Sequence, residues 1–362
     1  MPRIIFTVTN DLNFDQRMHR IAGTLQKIGY AVTLVGRKRD NSLPLNQKEF
    51  RQVRLPCFFS KGPLFYIEFN FRLLLYLLLK PTDYICSIDL DTILPCLVAS
   101  AVRGTKRIYD AHEYFTEQKE IIRRPAIQRV WKAVEGFAVP YFRTGYTVNS
   151  KLAALFREQY GVNYAVIRNI PIKYPLENID NQKINKFILY QGAVNEGRCF
   201  EQLIPAMKWV NAPLYIVGGG NFMEQTAELI RYYKLEHKVF LKGYLPPDQL
   251  RLLTQQAAIG VTLFEPNGMN QYYSLANRFF DYMMAGIPQI CVNYPLYKEL
   301  NDLYGFAEMI PDTHPLTIGE ALNKILTNTV VYEQLRLNCL SARETLHWEN
   351  EANLLIQFYS NT

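Results

Sequence analysis

Five consecutive residues, Tyr109-Asp110-Ala111-His112-Glu113, follow a short apolar run that reads as a strand. Ligands of open α/β sheets bind beyond the carboxyl ends of strands, so a polar cluster here stands where a site belongs. His112 lies between two carboxylates and can share a proton or bond a hydroxylated ligand. The competing reading is a histidine that serves structure alone. Upstream, Asp89-Leu90-Asp91 places two carboxylates at i and i+2, a spacing that can share one cation. Three-letter matches of this kind arise by chance, and no metal is expected.

Two further stretches suit a phosphate. In Tyr190-Gln191-Gly192-Ala193, followed by Gly197-Arg198, glycine allows close backbone approach and Arg198 offers a forked cation. A plain strand-to-helix turn with a surface arginine reads the same way. Tyr272-Tyr273-Ser274-Leu275-Ala276-Asn277-Arg278 opens a helix, whose free N–H groups and dipole could hold an anion. Its plainer reading is a serine N-cap. Asp281, one turn past Asn277, could accept two vicinal hydroxyls, or be a solvated helix residue. Val217-Gly218-Gly219-Gly220 is either a tight turn or a ligand contact.

Several chemistries are excluded. There is no G-x-x-x-x-G-K-[ST] loop, and the first strand-to-helix turn, Thr9 to Asn13, has no glycine. A phosphate-loop kinase and a dinucleotide dehydrogenase are therefore not expected. H-E-x-x-H and G-x-S-x-G are absent too.

The elements that must position these residues alternate along the chain. Arg3–Val8, Ala31–Val35, Tyr84–Ile88, Arg107–Tyr109, Thr144–Val148 and Ala165–Ile167 read as strands. Helices are expected at Phe14–Ile28, Phe65–Leu79, Thr92–Val102, Ile127–Tyr141 and Lys151–Tyr160. Residues 171–185, with Pro171 and Pro175, read as a linker. Alternation then restarts. Strands are expected at Phe187–Tyr190, Leu214–Val217, Val239–Leu241, Ile259–Phe264 and Gln289–Val292. Helices are expected at Phe200–Trp209, Phe222–Tyr233, Pro246–Gln256, Leu275–Met284, Tyr294–Leu303, Leu316–Leu326, Tyr332–Leu346 and about 349–360. Such alternation predicts two parallel sheets, each covered on both faces.

The 362 residues suffice for two such domains. Net charge is +7, unevenly placed: residues 1–170 carry 25 Lys and Arg against 14 Asp and Glu, and the remainder is acidic overall. The basic half predicts an anionic partner, or else a solvated basic surface with no specific partner. Nucleic acid, an anionic membrane and a phosphorylated acceptor all fit charge alone. Aromatic and basic residues interleave from Arg51 to Lys80, which admits peripheral contact with an anionic membrane. An ordinary helix covering the sheet is the other reading of that stretch. The six cysteines show no metal-ligand spacing and are expected buried and reduced. Met1-Pro2-Arg3 leads directly into a strand without a cleavage pattern, and Leu64–Leu79 is expected to be too short and polar to span a bilayer. The expected location is cytoplasmic, or peripheral on the inner face of the cell membrane.

Taken together and in order, these segments resemble the GT-B glycosyltransferases, in particular the large retaining group called family 4. The most specific stretch is Ser274 to Pro288, including Asn277-Arg278-Phe279-Phe280-Asp281 and Ala285-Gly286-Ile287-Pro288. Asp110-Ala111-His112-Glu113, Thr147-Val148-Asn149-Ser150, Ile167-Arg168-Asn169-Ile170-Pro171 and the ending from Trp348-Glu349 support it. The resemblance implies an α/β fold of two Rossmann-like domains facing across a cleft. The first would be an acceptor-side domain, residues 1–170, and the second a nucleotide-sugar domain, 186–348, with the last helix packing back on the first.

The resemblance also implies roles. Asp281 would be the second acid of the E-x7-E motif and bind the donor ribose. Arg198 would neutralise the donor diphosphate, His112 would lie near the transferred sugar, and Tyr244 would lie next to the base. Gly192, Ser274, Asn277 and Arg278 complete the donor set. Tyr273 stands where the first acid is usual, Asp281 where Glu is usual, and Arg278 where Lys is usual. The expected donor is a nucleotide-diphosphate sugar, with no other cofactor. The expected acceptor is a saccharide or lipid-linked molecule, in polysaccharide or glycolipid synthesis, and no nucleic acid is expected as partner. Transfer with retention is implied, with helix-end amides and arginines replacing a metal. A sugar-nucleotide epimerase of the same architecture and a non-catalytic nucleotide- or glycan-binding protein remain as alternatives.

Overall fold

The computed structural model describes all residues except 41, 178–186 and 267, and the side chain of residue 14. The chain divides into two compact units, Met1–Asn169 with Glu351–Thr362, and Ile170–Asn350. The part of the expected linker from residue 178 onward lies outside the described residues.

The strands of the first unit are β1 (Arg3–Thr7), β2 (Ala31–Lys38), β3 (Arg51–Pro56), β4 (Tyr84–Ile88), β5 (Lys106–Ala111), β6 (Gly145–Thr147) and β7 (Ala165–Val166). They form one sheet in the order β3-β2-β1-β4-β5-β6-β7, with every pair parallel. Its helices are α1 (Gln16–Lys27), α2 (Gly62–Leu79), α3 (Ile93–Arg103), α4 (Lys119–Ile122), α5 (Pro125–Ala138) and α6 (Ser150–Tyr160). Ile4, Ile5 and Phe6 are buried without alternation. A strand covered on both faces has no polar side to show. Two helix starts are fixed by side-chain caps: Asp15 accepts from the Met18 amide, and Asn149 from Leu152.

The second unit holds β8 (Ile188–Gln191), β9 (Leu214–Val217), β10 (Val239–Gly243), β11 (Ile259–Thr262), β12 (Gln289–Val292) and β13 (Ala307–Ile310). Their order is β10-β9-β8-β11-β12-β13, again all parallel. Around them pack α7 (Phe200–Ala206), α8 (Met223–Tyr232), α9 (Pro247–Gln256), α10 (Met269–Tyr272), α11 (Asn277–Ala285), α12 (Pro295–Tyr304), α13 (Pro315–Thr327) and α14 (Thr329–Ala342). The last helix, α15 (Trp348–Ser360), places Tyr359 in the core of the first unit against Tyr146 and Tyr30. There Glu351 accepts from the Arg168 amide at 2.7 Å.

Three expectations need correction. Strands β3 and β13 were not anticipated. Both are sheet edges, and their sequences, RQVRLP and AEMI, lack the apolar run of a central strand. The helix expected from Leu275 starts at Asn277, after a separate turn of helix at Met269–Tyr272. Finally, the apolar stretch expected to be too short and polar to cross a membrane is an 18-residue helix, Gly62–Leu79, of mean hydropathy 1.3 and only 22% buried. By length and composition alone it would suffice. It begins three residues earlier than the helix expected from Phe65, with Pro63 in its first turn, and its one acid is neutralised locally.

All six cysteines are free, and five of them are buried.

Candidate functional site

In the second unit the carboxyl ends of β8, β9, β10 and β11 carry the expected donor residues. The loops there are knitted by backbone bonds. Gly192 N–H donates to Val217 O, Gly218 N–H to Gly243 O, and Glu265 N–H to Gly197 O, at 2.9, 2.8 and 3.1 Å. Gly192 (φ +115°) and Gly218 (φ +144°) occupy backbone conformations that glycine alone adopts easily. A methyl group at Gly218 would stand 1.9 Å from Gly192 O. These glycines therefore let two strand ends touch. Tyr244, one residue beyond β10, is exposed.

Arg278 is buried in this knot although it is a guanidinium. Its Nη1 donates to Tyr190 Oη at 2.9 Å and its Nη2 to Leu263 O at 3.1 Å. The group lies between the rings of Tyr190 and Phe264, 4.6 and 4.5 Å from their centroids. Gly192 borders it: a methyl there would lie 3.7 Å from Nη1. Among the described residues no carboxylate pairs with Arg278, and its Nε is buried without a hydrogen-bond partner. Arg198 reaches the same place from the loop after β8, with its guanidinium 4.5 Å from the Phe264 centroid. Two cations thus converge on one ring at the end of β11.

Asp281 sits on α11. Gln191, the last residue of β8, donates from Nε2 to Asp281 Oδ2 at 3.0 Å, and its Oε1 lies 2.7 Å from Thr254 Oγ1 on α9. The Gln191 amide donates to Tyr282 Oη, which donates onward to Leu189 O. Asp281 is therefore fixed next to the Gly192 turn. Asn277 is exposed at the first position of α11. Ser274 does not cap that helix: its hydroxyl turns back to Gln271 O at 3.0 Å, and the residue preceding α11 is Ala276, whose amide donates to Tyr297 Oη. The serine-cap reading is thus set aside, because the break before α11 carries Ser274 too far upstream. Tyr273 ends the α10 turn with its ring edge-on to Tyr272.

In the first unit His112 follows β5. Its Nε2 is 2.9 Å from Asp110 Oδ2, and Asp110 is wholly buried, with Arg17 Nη2 bonded to its other oxygen at 2.9 Å. Arg17 also donates to Ile167 O. Asp89 accepts from the His112 amide at 2.8 Å, and its other oxygen lies 3.8 Å from Nδ1. Burial opposes charge on the His112 ring, but Asp110 and Asp89 outweigh it and raise the pKa. Burial pushes the Asp89 carboxyl up to about 8, although His112 pulls the other way. Asp91, hydrogen-bonded by the Thr9 hydroxyl, is pushed by burial up to about 6. Asp89 also adopts φ +54° with ψ 179°, a conformation that strains any residue but glycine. Among the described residues no group of three or more His, Cys, Asp or Glu side chains is placed to hold a metal.

Reading the sequence singled out His112 and Asp110 but missed Arg17, Gln191 and Phe264. Arg17 had a signal: it shares the helix face of Ile21 and Leu25, where a charge must find a buried partner. Gln191 and Phe264 had none, since their roles arise from pairing between distant elements.

Residues 177–340 match the family described as Glycosyl transferases group 1. No curated protein matches the chain. Among solved structures, the chain resembles the sucrose-phosphate synthase of Thermosynechococcus elongatus with 17% identity and TM-score 0.76, over 100% of this chain and 99% of that one. It resembles Anabaena HepE in complex with UDP and glucose with 14% identity and TM-score 0.78, over 100% of both. It also resembles WaaG, a glycosyltransferase involved in lipopolysaccharide biosynthesis, with 17% identity and TM-score 0.74, over 97% of this chain and 99% of that one. At these identities the likeness establishes the GT-B fold.

Proposed function

We propose, from the premise that this chain is a GT-B glycosyltransferase whose residues 177–340 form a group 1 domain, that it transfers a sugar from a nucleotide-diphosphate donor with retention and without a metal. The observation that carries the reading is Arg278. A buried guanidinium with only neutral partners is costly, and an anion beside it removes that cost. Arg198 shares the Phe264 ring with Arg278, the Gly192 turn borders Arg278, and α11 begins one residue before it, so the counter-charge we assign is a diphosphate.

In this reading Asp281 accepts the ribose hydroxyls and Tyr244 lies by the base. As the anomeric carbon–oxygen bond breaks, its electron pair passes to the diphosphate, where Arg198 and Arg278 balance the growing charge. The acceptor hydroxyl oxygen forms the new bond to the anomeric carbon and gives its proton to the departing diphosphate. His112, held by Asp110 and Asp89, orients the sugar. HepE is described with UDP and glucose, which makes UDP-sugars the first donors to try. The acceptor is a saccharide or lipid-linked molecule in polysaccharide or glycolipid synthesis, at the cytoplasmic side of the membrane.

The test is a thermal-shift screen of nucleoside diphosphates and their sugars in EDTA, followed by product analysis with the donor that binds. A stabilising diphosphate and an α-linked product from an α-linked donor support the proposal. Stabilisation only on adding a divalent cation would defeat the metal-free reading, and an inverted product would defeat retention.

A further inference from the structure

Helix α2 is apolar all round, a pattern usual for helices enclosed on every side. Here only one stripe is enclosed. Phe65, Phe69, Leu73 and Leu77 pack into the core of the first unit. On the opposite side Leu64, Ile67, Phe71, Leu75 and Leu79 recur at three- and four-residue spacing, and all are exposed, Leu79 to 78%.

Helix α3 repeats the arrangement. Its Ile93, Cys96 and Leu97 join the same core, while Leu94, Val98 and Val102 face outward, Val102 at 70% exposure. The two helices lie side by side on one face of the sheet, and Arg103 Nη1 joins their ends by donating to Leu77 O and Leu78 O. Their outer stripes therefore form one continuous apolar surface. Phe58, 89% exposed, extends it before α2 begins. Large contiguous patches of this kind are rare on soluble proteins without a partner.

Charge selects the partner. From Arg51 to Lys80 the sole acid is Glu68, and from Ile93 to Arg107 there is none. Glu68 is consumed locally: its carboxylate accepts from the Phe58 and Phe59 amides and pairs with Arg72 at 2.8 Å. The cations Lys61 and Lys80 stand exposed at the two ends of α2, and Lys106 and Arg107 follow α3. At the far end the exposed Asp83 is paired with Arg3 at 3.1 Å, so the rim keeps a cationic excess. An apolar surface with such a rim matches an anionic bilayer: side chains enter the acyl boundary while the rim meets headgroups. A second copy would bring the same cationic rim against itself.

We infer that the outer face of α2 and α3 docks this protein on an anionic lipid surface. The inference is independent of the donor site, so its test uses no nucleotide. The full chain is floated with vesicles of neutral phosphatidylcholine, and with vesicles containing about a third phosphatidylglycerol, at low and high salt. Binding to the anionic vesicles, weakened by salt, is expected. The variant I67S/F71S/L75S should bind about tenfold or more weakly, and K61E/K80E should lose most of its salt-sensitive binding. Neither touches the buried stripe, so both should keep the wild-type melting temperature and nucleotide affinity. Equal binding to neutral and anionic vesicles, or none to either, would overturn the inference. So would a concentration-dependent dimer, lost in the triple variant, without vesicle binding: the face would then join two copies of the chain.

Discussion

Arg198 and Arg278 each place a guanidinium 4.5 Å from the centre of the Phe264 ring, though one comes from the loop after β8 and the other from the first turn of α11. Like charges brought to one ring favour an anion beside them. The arrangement is held by Tyr190, Leu263 and the Glu265–Gly197 backbone bond. In the proposed function this is the place where the donor diphosphate binds.

Arg278→Met should separate these two effects. It keeps most of the volume and removes a buried charge with no carboxylate partner, so melting of the unliganded protein should change by only a few degrees in either direction. Nucleoside diphosphate affinity should fall about 100-fold, as expected for a desolvated charge-assisted contact. Calorimetry and a melting scan on the same sample check both. Arg278→Lys should recover only part of the affinity, because lysine cannot reproduce the forked contacts to Tyr190 and Leu263.

Asp281→Ala should weaken nucleotide binding by roughly tenfold and leave the fold intact, since about 1–2 kcal/mol attends the loss of a charged hydrogen-bonding group. Gln191→Ala should give a similar loss without touching the ligand, because it removes the 3.0 Å bond by which Gln191 orients the Asp281 carboxylate. The double variant should then be less than additive. Unchanged affinity in Asp281→Ala defeats the ribose assignment.

Gly218→Ala should damage the donor site more than an ordinary surface change. The new methyl would meet Gly192 O at 1.9 Å, at a backbone φ of +144°. The strand ends must move apart, which should cost about 1–3 kcal/mol and reduce donor affinity. Gly219→Ala, with nothing within 4 Å of the added carbon, is the matched control.

The first unit should lose stability as pH rises. The folded-state pKa of Asp89 is raised to about 8, so the folded chain keeps a proton that the unfolded chain releases near pH 4. Its contribution therefore declines from about pH 4 to pH 8. His112, also raised, contributes fully below its unfolded value and loses that contribution as pH climbs through the folded one. Asp89→Asn keeps an acceptor for the His112 amide and removes the titration. The melting temperature of the variant should fall less between pH 5 and pH 8 than that of the wild type. Parallel curves would contradict this.

Much of this was legible in the sequence, for physical reasons. Central strands such as β1 and β8 are continuous apolar runs because both faces are covered, and they were readable as such. Edge strands β3 and β13 were not, since no residue of β3 and only two of the four in β13 are buried. The Gly192 turn, Arg198, Arg278 and Asp281 could be proposed as donor-site residues from residue type and position. Gln191 and Phe264 could not, because their parts depend on which strands become neighbours. The outer stripe of α2 was ambiguous for a further reason: an apolar helix has the same composition whether one side or both are enclosed.

The central claim is that the second unit neutralises a diphosphate with arginine and backbone amides. Titration calorimetry of UDP, GDP and ADP into the full chain in EDTA, repeated with Arg198→Ala, tests it most directly. The account predicts that at least one diphosphate binds without a divalent cation and that Arg198→Ala weakens it about tenfold or more. Affinity that is indifferent to Arg198, or that exists only with a divalent cation, would contradict it.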